Sequence, residues 1–451
     1  MIETARSQSP DSVPIARGPR RVKAADHEIL ALVQDGRVHS SIFTSQEIFE
    51  LEMQNIFHRT WLYVGHESEV PDPGDFKLRA IGRQPVILVR GHDRVVRVLM
   101  NRCRHRGSVV CEEAEGQTRF FRCWYHGWVY DNTGKNVQVS GADGYDEAFR
   151  KEDHDLSPVP RMESYRGFVF ASTAREGSSL REHLGRSAPM IDIMVDASPV
   201  GEILVDAGCY KTEFKGNWKL VGMDGYHPHF THASIIDAHE KKAKTESDWA
   251  VTHLGDPFGD NSDSLTRDLG NGHAMLDFTG HRLQHLEPYL AIFRKKTPGA
   301  AEYVERMRSR YGRERGDLLI ALAGDPHAGI YPNLQIINNQ LRVINPLAVD
   351  RAEIVMYAVR LKGVSEAINT ARLRAHEQFF GPAGHGSPDD NEVFERVQRG
   401  MMAQVDPWID ISRGIRRQRL EADGSIVGRI TDEVPQRAQM RQWRALMSEA
   451  A

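Results

Sequence analysis

At 451 residues the chain is too long for one ordinary hydrophobic core, and two or three domains are expected. Its composition, 40% hydrophobic and 27% charged with a net charge of -4, is that of a globular protein and gives no support to nucleic-acid binding, which needs a concentrated basic face. No run of about 18 apolar residues is present, so no membrane span is expected, and four cysteines are too few for a disulfide framework, which favours a reducing, cytoplasmic location.

Met1 to Lys23 is rich in Ser, Pro and Arg and lacks the apolar core of a secretory signal. It reads as a disordered arm, with an organelle address as the other reading. Ser45 to Arg59 is predicted as an amphipathic helix, with Ser45 as N-cap and Ile48, Leu51, Ile56 and Phe57 on its apolar face. From Trp61 to Ser172 short strands alternate with turn signals. The turns are Val70 to Gly74, Gly91 to Asp93 and Asp131 to Gly134; the strands include Val86 to Arg90, Val95 to Leu99 and Phe168 to Ala171. This pattern predicts a small antiparallel β domain over residues 60–178.

The remainder, 1–59 with 179–451, is predicted as an α+β domain built around a sheet. Phe214 to Ala238 reads as partly helical, and Glu302 to Tyr311 and Val364 to Phe380 as helices. Tyr331 to Ile337, Leu341 to Ile344 and Ile354 to Leu361 read as strands. Gly255 to His273 reads as a long mobile loop. Pro407 onward reads as mostly helical, with Arg441 to Ala450 as a terminal helix.

Two short motifs carry chemistry. Cys103-Arg-His105 and Cys123-Trp-Tyr-His126 each offer one thiolate and one imidazole, and each is followed by a glycine, Gly107 and Gly127. A zinc finger pairs Cys with Cys and His with His, so mixed pairs argue against structural zinc. They suit a two-iron cluster with unlike irons, one held by two thiolates and the other by two imidazoles. That is a Rieske 2Fe–2S centre, whose neutral ligands raise the potential from about -400 mV to about -150 to +300 mV. The glycines allow backbone N–H groups close to the sulfurs. Cys111 and Cys209 lie outside both motifs and are expected to be inert buried thiols.

A second constellation runs from Asn217-Trp-Lys219 to Asp224-Gly-Tyr-His227-Pro-His229-Phe-Thr-His232. Far downstream, Gly381-Pro-Ala-Gly384 precedes the pair Asp389-Asp390. Two histidines and a carboxylate form the facial triad of non-haem Fe(II) oxygenases, which leaves positions open for dioxygen.

Here the sequence resembles the large (α) subunits of the Rieske non-haem iron aromatic-ring-hydroxylating oxygenases, over most of its length. Beyond the motifs above, the resemblance rests on Tyr125-His-Gly-Trp128, Gly329-Ile-Tyr-Pro-Asn333 and Asp432-Glu-Val-Pro-Gln-Arg437 before Trp443. It implies a helix-grip (START-like) catalytic domain beside the β domain, iron ligands at His227, His232 and Asp390, and a bridging acid at Asp224. Helical spacing alone would pair His229 with His232, since residues i and i+5 lie about 140° apart. Pro228 breaks that spacing and lets His227 swing round; His229 stays as the alternative ligand, and Asp390 is preferred to Asp389 by the resemblance alone. One departure is that only Leu220 to Met223 stand between the Trp-Lys pair and Asp224, where many relatives have a longer segment with a Glu-Asn pair.

The resemblance implies a terminal oxygenase component that uses dioxygen to hydroxylate an aromatic substrate, by cis-dihydroxylation in the first reading. The alternatives are a monooxygenase or demethylase on the same scaffold, or a pure electron carrier. Roughly 270 residues beyond the β domain argue against a carrier, which needs only the cluster module. Electrons would pass from the cluster at His126 through Asp224 to His227 of a neighbouring subunit. No Gly-x-Gly-x-x-Gly follows a strand, since Gly270-Asn-Gly272 lacks the third glycine. NAD(P)H is therefore expected to act only through a separate reductase, with or without a ferredoxin. An α3 or α3β3 assembly with a small β subunit is implied. Met223, Phe230, His273 and His385 are candidates for lining the pocket, each against a reading as packing or loop.

Overall fold

The computed structural model describes residues 26–224, 263–384 and 386–448. The predicted N-terminal arm, the three histidines after Asp224, and Phe230 and His385 lie outside the described residues.

The N-cap expectation at Ser45 agrees with the structure: its side chain accepts from the Ile48 N–H at 3.3 Å and starts the helix Gln46–Glu52. The chain continues through one wider turn, Met53–Phe57, and buries Ile48, Leu51, Ile56 and Phe57.

The β part is antiparallel throughout. Its largest sheet runs Val96–Met100, Gln84–Arg90, Asp75–Ile81, Glu115–Gln117 in spatial order. Strand Gln84–Arg90 does not alternate; Val86, Ile87, Leu88 and Val89 are all fully buried. Both its faces are covered. Val86 and Leu88 pack into the cluster that holds Phe49, Phe57 and Trp218, whereas Ile87 and Val89 pack with Cys103, Cys123, Trp128 and Tyr130.

The larger sheet has nine antiparallel strands, in the order Cys209–Phe214, Arg351–Ala358, Gln340–Ala348, Leu334–Ile337, Ala328–Ile330, His273–Asp277, Leu265–Gly270, Ile426–Arg429, Arg419–Leu420. Leu341, Val343 and Val355 pack on one face. Ile344, Ile354 and Met356 pack on the other, with Phe380 and Phe394 from helices Glu366–Phe380 and Ser387–Gly400. The C-terminal helix Val434–Ser448 lies on strands Leu265–Gly270 and His273–Asp277. Among the described residues no helix is long and apolar enough to cross a membrane.

Four local expectations need correction. Tyr331 to Ile337 is not one strand, because Pro332 has no N–H for a ladder and the chain turns there, pairing Ala328–Ile330 with Leu334–Ile337. The described part of the expected loop, from residue 263, is a hairpin. Strands Leu265–Gly270 and His273–Asp277 are joined by Asn271-Gly272, at φ of 52° and 76°. Pro407 onward is mostly not helical: Trp408–Asp410 pairs with Arg37–His39, and Arg419–Leu420 with Ile426–Arg429 closes the sheet edge. There Asp423 accepts from the Ser425 N–H at 2.9 Å, a side-chain turn that outcompetes helix, and the terminal helix begins at Val434 instead of Arg441. Cys209 is exposed rather than buried, since it opens an edge strand whose outer residues meet solvent.

Candidate metal centres

The two Cys/His loops have the same backbone construction. The Cys103 N–H donates to Ser108 O at 2.7 Å and the Gly107 N–H to Cys103 O at 3.0 Å; the Cys123 N–H donates to Trp128 O at 2.8 Å and the Gly127 N–H to Cys123 O at 3.0 Å. Gly107 and Gly127 sit at φ of 82° and 72°, where a side chain is strained. Both thiols are buried. The two imidazoles stand with ring centroids 4.5 Å apart, and His105 stacks on Trp128 at 4.9 Å.

The donor set fits a cluster. The Nδ1 atoms of His105 and His126 are both buried and have no hydrogen-bond partner among the described residues. Buried imidazole nitrogens without partners are costly unless they ligate. Burial pushes the Cys103 thiol up, so iron binding there must displace a proton. Burial, then the neighbouring His126 and Arg106, holds the His105 imidazole below the ordinary value and therefore neutral, the ligating form. The Tyr130 hydroxyl lies 3.2 Å from Cys103 Sγ and accepts from the Arg104 N–H at 3.0 Å. Between Cys123 and His126 the loop tip is open: Trp124 is 87% exposed and Tyr125 57%.

The second constellation is described up to the helix Lys219–Asp224, which is clamped at both ends. At its start the carboxylate of Glu52, fully buried, accepts from Lys219 Nζ at 2.6 Å, Trp218 Nε1 at 2.8 Å and Trp443 Nε1 at 2.6 Å. Further along, three side-chain amides donate to its backbone carbonyls. Gln335 Nε2 reaches Val221 O at 3.1 Å, Gln439 Nε2 reaches Gly222 O at 2.8 Å, and Gln436 Nε2 reaches Met223 O at 2.8 Å. The description stops at Asp224 in this helix, and the candidate ligands His227, His229 and His232 lie outside the described residues.

Asp389 and Asp390 occupy the first turn of helix Ser387–Gly400, where the helix dipole favours a carboxylate. Asp390 is the buried one, with Oδ2 3.9 Å from Arg342 Nη1. Met223 is core. His273 does not line a pocket. Its Nδ1 accepts from the Tyr331 N–H at 2.9 Å and its Nε2 donates to His183 O at 2.7 Å, so both ring nitrogens are used in packing. Arg342 escaped the sequence reading, because Gln340-Leu-Arg342-Val-Ile344 alternates like a strand with its polar residues facing water.

Comparison with known proteins adds identity. Residues 60–147 match the Rieske 2Fe-2S domain, and residues 202–448 match the catalytic domain of the ring hydroxylating alpha subunit. The chain is 33% identical over 395 residues to the 2-halobenzoate 1,2-dioxygenase large subunit of Burkholderia cepacia, covering 84% of this chain and 80% of that protein. It is 34% identical over 394 residues to the anthranilate 1,2-dioxygenase large subunit of Acinetobacter baylyi, with the same coverage. A solved structure of naphthalene 1,2-dioxygenase with indole in its active site has a TM-score of 0.78 at 24% identity, over 92% of this chain and 94% of that one, a likeness of fold.

Proposed function

The chain belongs to the ring-hydroxylating oxygenase α-subunit family, and from that premise we propose that it is the terminal component of a system that cis-dihydroxylates an aromatic acid. Both relatives named above act, by their names, on ring carboxylates. The observation that carries the reading is the matched pair of loops, with two buried thiols and two inward imidazole nitrogens, on the same chain as the ring-hydroxylating domain.

When bound, the cluster supplies single electrons and the mononuclear iron supplies dioxygen activation. Cys103, His105, Cys123 and His126 would hold the cluster; His227, His232 and Asp390 would hold the iron, with His229 as the alternative. The Glu52 clamp would orient the helix that leads to the histidines, and the first turn of Ser387–Gly400 would present Asp390. Asp224 would orient the imidazole of His227 and meet His126 of a neighbouring copy, in an α3 or α3β3 assembly. The open tip at Trp124 and Tyr125 suits that contact. Residues 60–178 would form the cluster domain and the rest the catalytic domain. A separate reductase, alone or with a ferredoxin, would deliver the electrons of NAD(P)H, and a cytoplasmic, catabolic setting fits the relatives' substrates.

The test is iron analysis with product analysis, using a surrogate reductase and a panel of aromatic acids and hydrocarbons. Iron beyond the cluster's pair and a cis-dihydrodiol are expected. A phenol or a dealkylated product would select the monooxygenase alternative, and iron for the cluster alone would select a carrier.

A further inference from the structure

One face of the nine-stranded sheet carries polar side chains in the middle of an apolar surface. Gln335 and Arg342 stand directly opposite each other on neighbouring strands, and Gln340 precedes Arg342 by two residues on the same face. They are 2%, 4% and 0% exposed. Each has an atom with no hydrogen-bond partner among the described residues: Gln335 Oε1, Arg342 Nε and Gln340 Nε2. Around them the same face is apolar, with Ile344, Ile354 and Met356.

The guanidinium of Arg342 lies over the ring of Phe380 at 4.9 Å, which fixes its plane. Its contact with Asp390, at 3.9 Å, is longer than a hydrogen bond. A buried guanidinium with an unsatisfied Nε–H is costly. An apolar floor with one cation and two amides has the chemistry to take a flat ring that bears a carboxylate. We propose that Arg342 is the specificity-determining residue that anchors the carboxylate of the aromatic substrate, with Gln335 and Gln340 beside it. This rests on the reading of the chain as an aromatic-ring oxygenase, and it places the anionic group of the substrate next to the carboxylate expected to hold iron.

The test titrates benzoate, benzamide and toluene into iron-loaded wild type, R342M and R342K by calorimetry, without reductase, and counts iron in each. Wild type is expected to bind benzoate about 100-fold more tightly than its neutral isostere benzamide, and R342M to lose about that factor for benzoate alone. R342K should recover part of it, since an ammonium keeps the charge without the planar fork. Toluene affinity and iron content should stay level. Equal wild-type affinity for benzoate and benzamide would overturn the proposal without any variant. So would parallel losses of benzoate and toluene, or loss of iron in both variants, which would make Arg342 a support of Asp390. Turnover separates this proposal from the one beneath it. A wild type that oxidises toluene and ignores benzoate sinks the anchor and keeps the reaction. A wild type that binds benzoate through Arg342 and oxidises no ring keeps the anchor and sinks the reaction.

Discussion

Replacing Glu52 by Gln would leave Lys219 as a buried ammonium with no counter-charge. Both side chains are essentially inaccessible, at 0% and 1%, and the carboxylate is the acceptor for three donors. Breaking such a pair by removing one partner costs about 3–5 kcal/mol. For a cooperative unit of about 250 residues, a loss near 3 kcal/mol lowers Tm by roughly 6–12 °C. Burial already lowers the Lys219 pKa, against the pull of Glu52. In Glu52→Gln that lowering deepens, so the unfolded chain binds more protons than the folded one at neutral pH and above. Stability then rises with pH towards the ordinary lysine value of 10.5, and the deficit narrows over that range. Because the clamp holds the helix leading to the candidate histidines, iron beyond the cluster's pair should also fall while the visible spectrum of the cluster is unchanged. Calorimetry across pH and iron analysis read both effects. A second variant, E52L/K219M, removes both charges and should be more stable than E52Q. The argument fails if E52Q loses less than about 1 kcal/mol, or if the double variant melts below it.

Asp224→Ala should keep both metals and lose product formation, as measured by metal content and single-turnover yield; normal turnover would remove Asp224 from the electron path. Gly127→Ala places a Cβ 3.0 Å from Ser140 Oγ at a φ of 72°, and should cost about 1–2 kcal/mol and lower cluster occupancy, read from visible absorption. Tyr130→Phe removes the hydroxyl 3.2 Å from Cys103 Sγ. Hydrogen bonds to ligand sulfur favour the reduced cluster, so the potential should fall by about 40 mV, the one-electron equivalent of about 1 kcal/mol, in film voltammetry.

The paired construction of the two Cys/His loops was legible because its signal is local: a Cys and a His at short spacing, with a glycine where each loop must turn left-handed. Ser45 was legible for the same reason, since a cap acts within one turn. The misses are of two kinds. Some signals are present but compete with others nearby. Asn271-Gly272 is a strong two-residue hairpin signature, yet the surrounding Gly, Asp and Ser suggested a loop; Pro332 breaks a run that otherwise reads as strand. Others had no local signal. Arg342 and Gln340 alternate with Leu341 and Val343 as solvent-facing residues would, yet His376 and Phe380 of a distant helix lie against them. Nothing within reach of Cys209 in sequence says that its strand lies at an edge.

Strand Gln84–Arg90 bears on how such enzymes can be recombined. Its Ile87 and Val89 belong to the cluster's surroundings, while Val86 and Leu88, with Val98 of the next strand, belong to the apolar body that contains Phe49, Phe57 and Trp218. The sheet is a party wall. A fragment cut out at 60–178 would carry one finished side and one raw one, and would be expected to self-associate through the raw side. Grafting another oxygenase's cluster loops onto this chain therefore leaves the joint intact. Exchanging the whole β unit replaces half of the joint, and its success should follow the fit of three valine and leucine side chains rather than the chemistry of the four candidate ligands.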